Sequence, residues 1–199
     1  AKALKINGQR KDGYLESEDS IVTWCVGHLV TMSYPEKYDI KYKRWSFDTL
    51  PFLPREFKYE VIPGVQKQFD IVKRLLNRPD VETIYVCTDS GREGEYIYRL
   101  VAQMAGVKDK DQRRVWIDSQ TEEEILRGIR EARELSAYDN LANSAYLRAK
   151  EDYLMGTVVT GAVVVVIVGL IIRSMVRDKK NGKSLQCGGD CGKCGGHCH

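Results

Sequence analysis

The stretch Thr83-Ile84-Tyr85-Val86-Cys87-Thr88-Asp89-Ser90-Gly91-Arg92-Glu93-Gly94-Glu95 decides the fold. Its β-branched and aromatic opening reads as a short buried strand over Thr83 to Thr88. Asp89 to Gly94 is an acidic, glycine-containing turn, and the residues from about Glu95 to Ala105 have the composition of a helix. Strand, turn and helix in that order are the opening of an α/β unit. The neighbours extend the pattern. Upstream, Gly64 to Asn77 carries apolar residues at Val65, Phe69, Val72, Leu75 and Leu76, which is helical spacing, and Pro79 ends it. Downstream, Arg114 to Ile117 reads as a second strand. Thr121 then caps a helix whose first turn is Glu122, Glu123 and Glu124, acids placed to complement a helix N-terminus. A third helix is expected over about Ala137 to Leu154. Strands alternating with helices predict an α/β fold with a parallel sheet flanked by helices.

Further out, Ile21 to Val30 has the composition of a buried strand and its exit. Tyr34 to Pro63, with prolines at 35, 51, 54 and 63, reads as an irregular excursion whose Tyr42, Trp45, Phe47, Phe52 and Phe57 cover the core. Residues 1–20 are polar and turn-rich. Ala1 to Leu15 does not read as a secretory signal, and the lack of an initiator methionine suggests that residues preceding Ala1 are missing.

The 199 residues suffice for one domain with a core plus an appendage. Of 31 basic and 28 acidic residues, six and two respectively fall in 156–199, so residues 1–155 are close to neutral. Any nucleic-acid binding there rests on a local patch rather than on a global field. Cys25 and Cys87 stand singly in apolar runs and are expected to be buried, reduced core residues.

Taken by spacing alone, the acidic turn is either a solvated helix start or a site where carboxylates share a hard cation such as Mg²⁺. It lies at the carboxyl end of a strand, where open α/β sheets bind ligands. Lys41-Tyr42-Lys43-Arg44-Trp45 interleaves cations with aromatics and suits either single-stranded DNA, by charge and stacking, or a surface strand with its rings packed inward.

Cys87-Thr88-Asp89-Ser90-Gly91-Arg92-Glu93-Gly94-Glu95-Tyr96-Ile97 closely resembles the Toprim signature of type IA DNA topoisomerases of the topoisomerase III kind. Thr23 to Val30, Trp45 with the proline-rich run to Pro54, Ser119-Gln120-Thr121, and Tyr146 to Leu154 resemble further stretches of that family in the same order. The resemblance covers nearly all of residues 1–154. It implies a Toprim-like site holding Mg²⁺ through Asp89 and Glu95, with Glu93, Arg92 and His28 in the active-site set and DNA as partner, touched by Lys41, Lys43, Arg44 and Trp45. Three departures bear on activity. Gly91 stands where the family often has a second aspartate. The family's opening strand, with its own glutamate, precedes this sequence, and its cleaving tyrosine lies in a later domain. Tyr34 lacks the arginine that accompanies that tyrosine. The resemblance therefore implies a fragment unable to cut and rejoin DNA alone, since transesterification needs an activated nucleophile as well as a metal.

After Met155 the composition changes. Residues 156–172 are uncharged, and about 18 to 20 such residues span a hydrocarbon core of about 30 Å. A transmembrane helix over 155–176 is the expectation, with a buried core helix or strand pair as the alternative. Arg173, Arg177, Lys179, Lys180 and Lys183 follow, and the positive-inside rule then places the tail in the cytoplasm. In residues 177–199, Cys187, Cys191, Cys194 and Cys198 with His197 and His199 are enough ligands for Zn²⁺ or Fe²⁺, or else are free or disulfide-paired thiols in a tail. This stretch resembles the FeoB-associated cysteine-rich membrane proteins, which implies a second reading: a single-pass accessory protein of ferrous iron transport, partnered by the transporter. A membrane-anchored chain with a cytoplasmic tail would leave the topoisomerase-like part on the side without DNA, so the join reads as a fusion of unrelated pieces.

Overall fold

The computed structural model describes residues 1–44, 46–49 and 52–180. The chain divides into two compact units, one formed by 1–44 with 54–151, the other by the described residues of 45–53 and 152–199.

The first unit opens with a three-stranded antiparallel meander, β1 (Gln9–Lys11), β2 (Tyr14–Glu16) and β3 (Ile21–Thr23), in which Arg10 faces Leu15 and Leu15 faces Val22. Gly13 turns the first hairpin with φ of 77°, a left-handed conformation that a side chain resists. Strand β4 (Val30–Met32) pairs antiparallel with β5 (Tyr59–Val61). Helix α1 (Gln66–Leu76) buries Phe69, Val72, Leu75 and Leu76, four of the five apolar positions its spacing singles out. Then come β6 (Thr83–Val86), α2 (Arg92–Ala105), β7 (Asp111–Arg114), α3 (Glu122–Arg130), β8 (Arg133–Glu134) and α4 (Asp139–Lys180). Thr121 caps α3 as its sequence predicts, its hydroxyl accepting from the Glu124 amide at 3.4 Å.

The core lies where α1, α2 and the start of α4 cover the strands. Leu29, Val30, Leu100, Val101 and Val86 are at most 2% exposed. Tyr59, Tyr96 and Tyr146 join them edge to face, with centroids 5.2 Å apart for Tyr96 and Tyr146 and 6.4 Å for Tyr59 and Tyr146. Asn77 ties the ends of two helices together, its side-chain amide donating to the Lys73 and Ala105 carbonyls.

Four expectations are corrected. The fold is mixed α/β, but the central sheet is not wholly parallel: β6 and β7 run parallel while β8, returning directly after α3, runs antiparallel on β7. The single strand expected over residues 21–30 divides between β3 and β4, which belong to different sheets, with Gly27 at φ of 83° between them. Of the lone cysteines, Cys87 is exposed and Cys25 is half-buried against the core, where burial pushes its thiol up.

The fourth concerns the membrane. Among the described residues, no helix is long and apolar enough to cross one. The helix expected to stop near Leu154 runs on without a break, so the apolar stretch is one part of a 42-residue helix that begins polar and ends in charges. The transmembrane helix, the membrane partner and the single-pass anchoring of the whole chain are withdrawn on that finding. In the second unit, Phe52 is 6% exposed and meets the Tyr153 ring at 6.3 Å.

Candidate functional site

Strand β6 delivers the chain to the acidic turn. Past Val86 the backbone leaves the sheet, and α2 begins at Arg92 with Gly91 as its N-cap. Glu93 and Glu95 therefore sit in the first helical turn, where the helix dipole favours negative charge. The turn is tightly built. Thr88 Oγ1 donates to the Gly94 carbonyl at 2.8 Å, and Ser90 Oγ accepts from the Ile117 amide at 3.0 Å. Gly94 is buried, and a Cβ there would stand 1.9 Å from the Asp89 carbonyl oxygen, so only glycine allows this approach of helix to turn.

The acids have different surroundings. Asp89 and Glu93 are exposed, while Glu95 is 1% exposed. One oxygen of Glu95 accepts from Arg114 Nε, and the other accepts from Arg99 Nε at 3.2 Å. Glu95, expected from the resemblance to be a magnesium ligand, is committed by the structure to two guanidinium groups and is closed off from solvent. Arg114 is itself fully buried, with further bonds from its Nη atoms to the carbonyls of Val86, Thr88, Val115 and Asp89 at 2.6 to 3.1 Å. Arg99 reaches the Asp139 carboxylate and the Leu135 carbonyl, both at 2.7 Å. Neither arginine stands out in the sequence. Asp111-Gln112-Arg113-Arg114 has no apolar pattern, and the only signal for a buried cation is its adjacency to the apolar Val115-Trp116-Ile117.

His28, distant in sequence, comes to the exposed side of the turn. Its Nε2 lies 2.8 Å from Glu93 Oε1, and because a carboxylate only accepts, Nε2 carries the hydrogen. The Tyr96 ring meets His28 at 6.2 Å, edge to face. Burial pushes the Tyr96 hydroxyl well above the ordinary tyrosine range. His28 and Glu93 thus form a solvent-accessible pair, and Asp89 is exposed in the turn that leads from β6 to Glu93.

Comparison with known proteins bears on this surface directly. Residues 1–119 match the Toprim domain. The chain belongs to the Toprim family. DNA topoisomerase 3 of Bacillus thuringiensis (strain Al Hakam) is 43% identical over 162 residues, that of Bacillus subtilis (strain 168) 41% and that of Staphylococcus epidermidis 40%. Each of these alignments takes in 81% of this chain but only 22% of the relative, so the chain spans about a fifth of the length of the curated relatives it matches. Residues 156–199 match a second family, the FeoB-associated Cys-rich membrane proteins.

The Toprim turn can be tested for its fit to a metal. Mg²⁺ keeps several waters and is commonly bound by one or two carboxylates plus substrate phosphate. Among the described residues, no group of three or more His, Cys, Asp and Glu side chains is arranged to hold a metal ion. Two exposed carboxylates at the Toprim turn suit a hydrated ion completed by a phosphate, and do not suit a closed protein cage. Arg92 is exposed at the first position of α2.

The remaining expected residues lie apart in the chain. Lys41 and Lys43 form a 3-10 turn over Ile40–Lys43, not a strand, with Asp39 accepting from the Lys41 amide at 3.0 Å. Lys41 Nζ stands 4.9 Å over the Tyr42 ring, and the charge of Tyr42 followed by that of Asp39 raises the lysine's pKa. Lys43 and Arg44 are exposed. Among the described residues no hydrogen bond or ion pair joins Lys41, Lys43 or Arg44 to the acidic turn. Trp45, Cys187, Cys191, Cys194, Cys198, His197 and His199 lie outside the described residues.

Proposed function

We propose that residues 1–154 are the Toprim part of a type IA DNA topoisomerase of the topoisomerase 3 kind, and that the acidic turn brings a hydrated Mg²⁺ to a DNA phosphate. The observation that carries this reading is the division of labour among the acids: Asp89 and Glu93 face solvent at the carboxyl end of β6, while Glu95 is withdrawn into an arginine pair. Asp89 and Glu93 would hold the ion. When bound, Mg²⁺ supplies charge neutralisation at phosphoryl oxygens. The chain's own residues would do the rest: His28, bonded to Glu93, would orient its carboxylate, and Arg92, exposed at the start of α2, would meet a phosphate. Lys41, Lys43, Arg44 and Trp45 are proposed to contact single-stranded DNA by charge and stacking.

Cutting and rejoining DNA is proposed to be beyond this chain alone, because an activated nucleophile is required and Tyr34, 64% exposed, has no arginine beside it in sequence. The experiment is binding of a labelled single-stranded oligonucleotide with and without Mg²⁺, beside a supercoil-relaxation assay. Mg²⁺-enhanced binding without relaxation is expected. Relaxation by the purified chain would overturn the incompleteness, and equal binding with and without Mg²⁺ would overturn the metal's role.

The match of residues 156–199 favours a second, separate reading, in which Cys187, Cys191, Cys194, Cys198, His197 and His199 bind Zn²⁺ or Fe²⁺ in the service of a ferrous iron transporter. Elemental analysis of the full chain after desalting, against a variant with all four cysteines changed to serine, tests it; equal metal content in the two would sink it.

A further inference from the structure

One heavily bonded side chain of the first unit is one that the proposed chemistry does not use. Arg114 ends β7, is 0% exposed, and is surrounded by acceptors belonging to the acidic turn and the strand that feeds it. Its Nη1 donates to the Val86 carbonyl at 3.1 Å, to the Thr88 carbonyl at 2.7 Å and to the Val115 carbonyl at 2.9 Å, and its Nη2 donates to the Asp89 carbonyl at 2.6 Å. Its Nε pairs with Glu95, and the Trp116 ring covers its guanidinium carbon at 5.4 Å. A planar fork with five donors suits this task in a way an ammonium does not. The charges facing it are those of Glu95 and, through Glu95, of Arg99 and Asp139.

We propose that Arg114 is a positioning residue for the metal and phosphate surface. By gripping the Thr88 and Asp89 carbonyls while Glu95 neutralises it, Arg114 sets the backbone of the turn so that the Asp89 and Glu93 carboxylates stay on the solvent side. Glu95 then serves as the counterion of the clamp. Arg99, bonded to Glu95 on one side and to Asp139 and the Leu135 carbonyl on the other, anchors the clamp to the start of α4. The inference rests on the proposed reading of Asp89 and Glu93 only for the identity of the bound ion.

The test uses the full chain, with Mn²⁺ as the probe ion titrated by loss of its electron paramagnetic resonance signal, and amide hydrogen exchange across residues 88–94 as a second readout. Arg114→Lys keeps the charge and loses the fork. The expected result is a folded protein whose exchange rises at Ser90 and Gly91 but not in α1, with Mn²⁺ affinity lower by about tenfold, as for loss of a partner behind a metal ligand. Should that variant fail to fold, Arg114→Met with Glu95→Leu replaces the pair by apolar groups, an exchange that buried ion pairs often tolerate, and carries the same readouts. Unchanged exchange in the turn of a folded variant overturns the proposal. So does raised exchange with unaltered Mn²⁺ affinity. Failure of the unsubstituted chain to bind Mn²⁺ overturns the metal reading instead, and the exchange readout then decides on the clamp by itself.

Discussion

Glu95 and Arg114 form an ion pair in which neither side chain has any exposure to solvent. Each satisfies a charge that the other could not leave uncompensated, and no buried side-chain polar atom among the described residues lacks a partner. Removing one member leaves a buried charge, at a cost of about 3 to 5 kcal/mol. Arg114→Ala and Glu95→Ala are each expected to lower the unfolding free energy by that amount in urea titrations. A loss of about 1 kcal/mol or less, the size expected of a surface pair, would show that water reaches the site.

The pair of His28 and Glu93 contrasts with it. The side chains are 39% and 70% exposed, so the contact is worth at most about 1 kcal/mol to the fold. His28→Ala should leave the thermal midpoint nearly unchanged and weaken Mg²⁺-dependent oligonucleotide binding by several-fold. If the midpoint falls steeply while binding persists, His28 is a structural residue and its place in the site is lost.

Two glycines in the turn make opposite predictions. A Cβ on Gly94 would meet the Asp89 carbonyl oxygen at 1.9 Å, whereas a Cβ on Gly91, whose backbone is extended, meets nothing within 4 Å. Gly94→Ala is expected to destabilise by about 1 to 3 kcal/mol, the usual cost of overpacking, and to disorder the acidic turn. Gly91→Ala should be tolerated. Chemical denaturation of both variants decides it, and equal effects would argue against the close approach of α2 to the turn.

The buried and half-buried tyrosines set the alkaline limit. Burial pushes Tyr59 up to about 12 and raises Tyr96, Tyr98 and Tyr146 as well, in each case because the phenolate is poorly solvated. Groups whose folded pKa is raised contribute stability that is whole below the unfolded value, here 10.0, and is lost as pH rises toward the folded one. Absorbance at the phenolate band should therefore show a late, cooperative step above pH of about 10 that coincides with loss of helix by circular dichroism. A single smooth titration with the helix intact would contradict the burial.

Much of the site could be read from residue order. A β-branched run followed by Asp89-Ser90-Gly91-Arg92-Glu93-Gly94-Glu95 places acids at a strand's carboxyl end whatever surrounds them, because strand, turn and helix are local structures. The α1 stripe and the Thr121 cap were legible for the same reason. The roles of the individual acids were not. Glu93 and Glu95 are chemically alike and two residues apart, and the rotation of a helix alone sends one to solvent and the other inward. The strand expected over Arg114 to Ile117 lies instead at Asp111–Arg114, since pairing with Thr83–Val86 sets its register and its polar side chains carry no alternation to reveal it.

The uncharged run after Met155 shows the converse. Composition marked it off from what precedes it, yet helix α4 passes from Asp139 through that boundary to Lys180, because backbone hydrogen bonding is indifferent to side-chain polarity. The sequence by itself determined the family, the acidic turn and the helices with a clear apolar face, all of which depend on residues close along the chain. Tertiary structure alone decided that Arg114 lies beneath the turn, that Glu95 pairs with it, and that His28 reaches Glu93, because each depends on how strands and helices far apart in sequence pack together and on the need to match every buried charge.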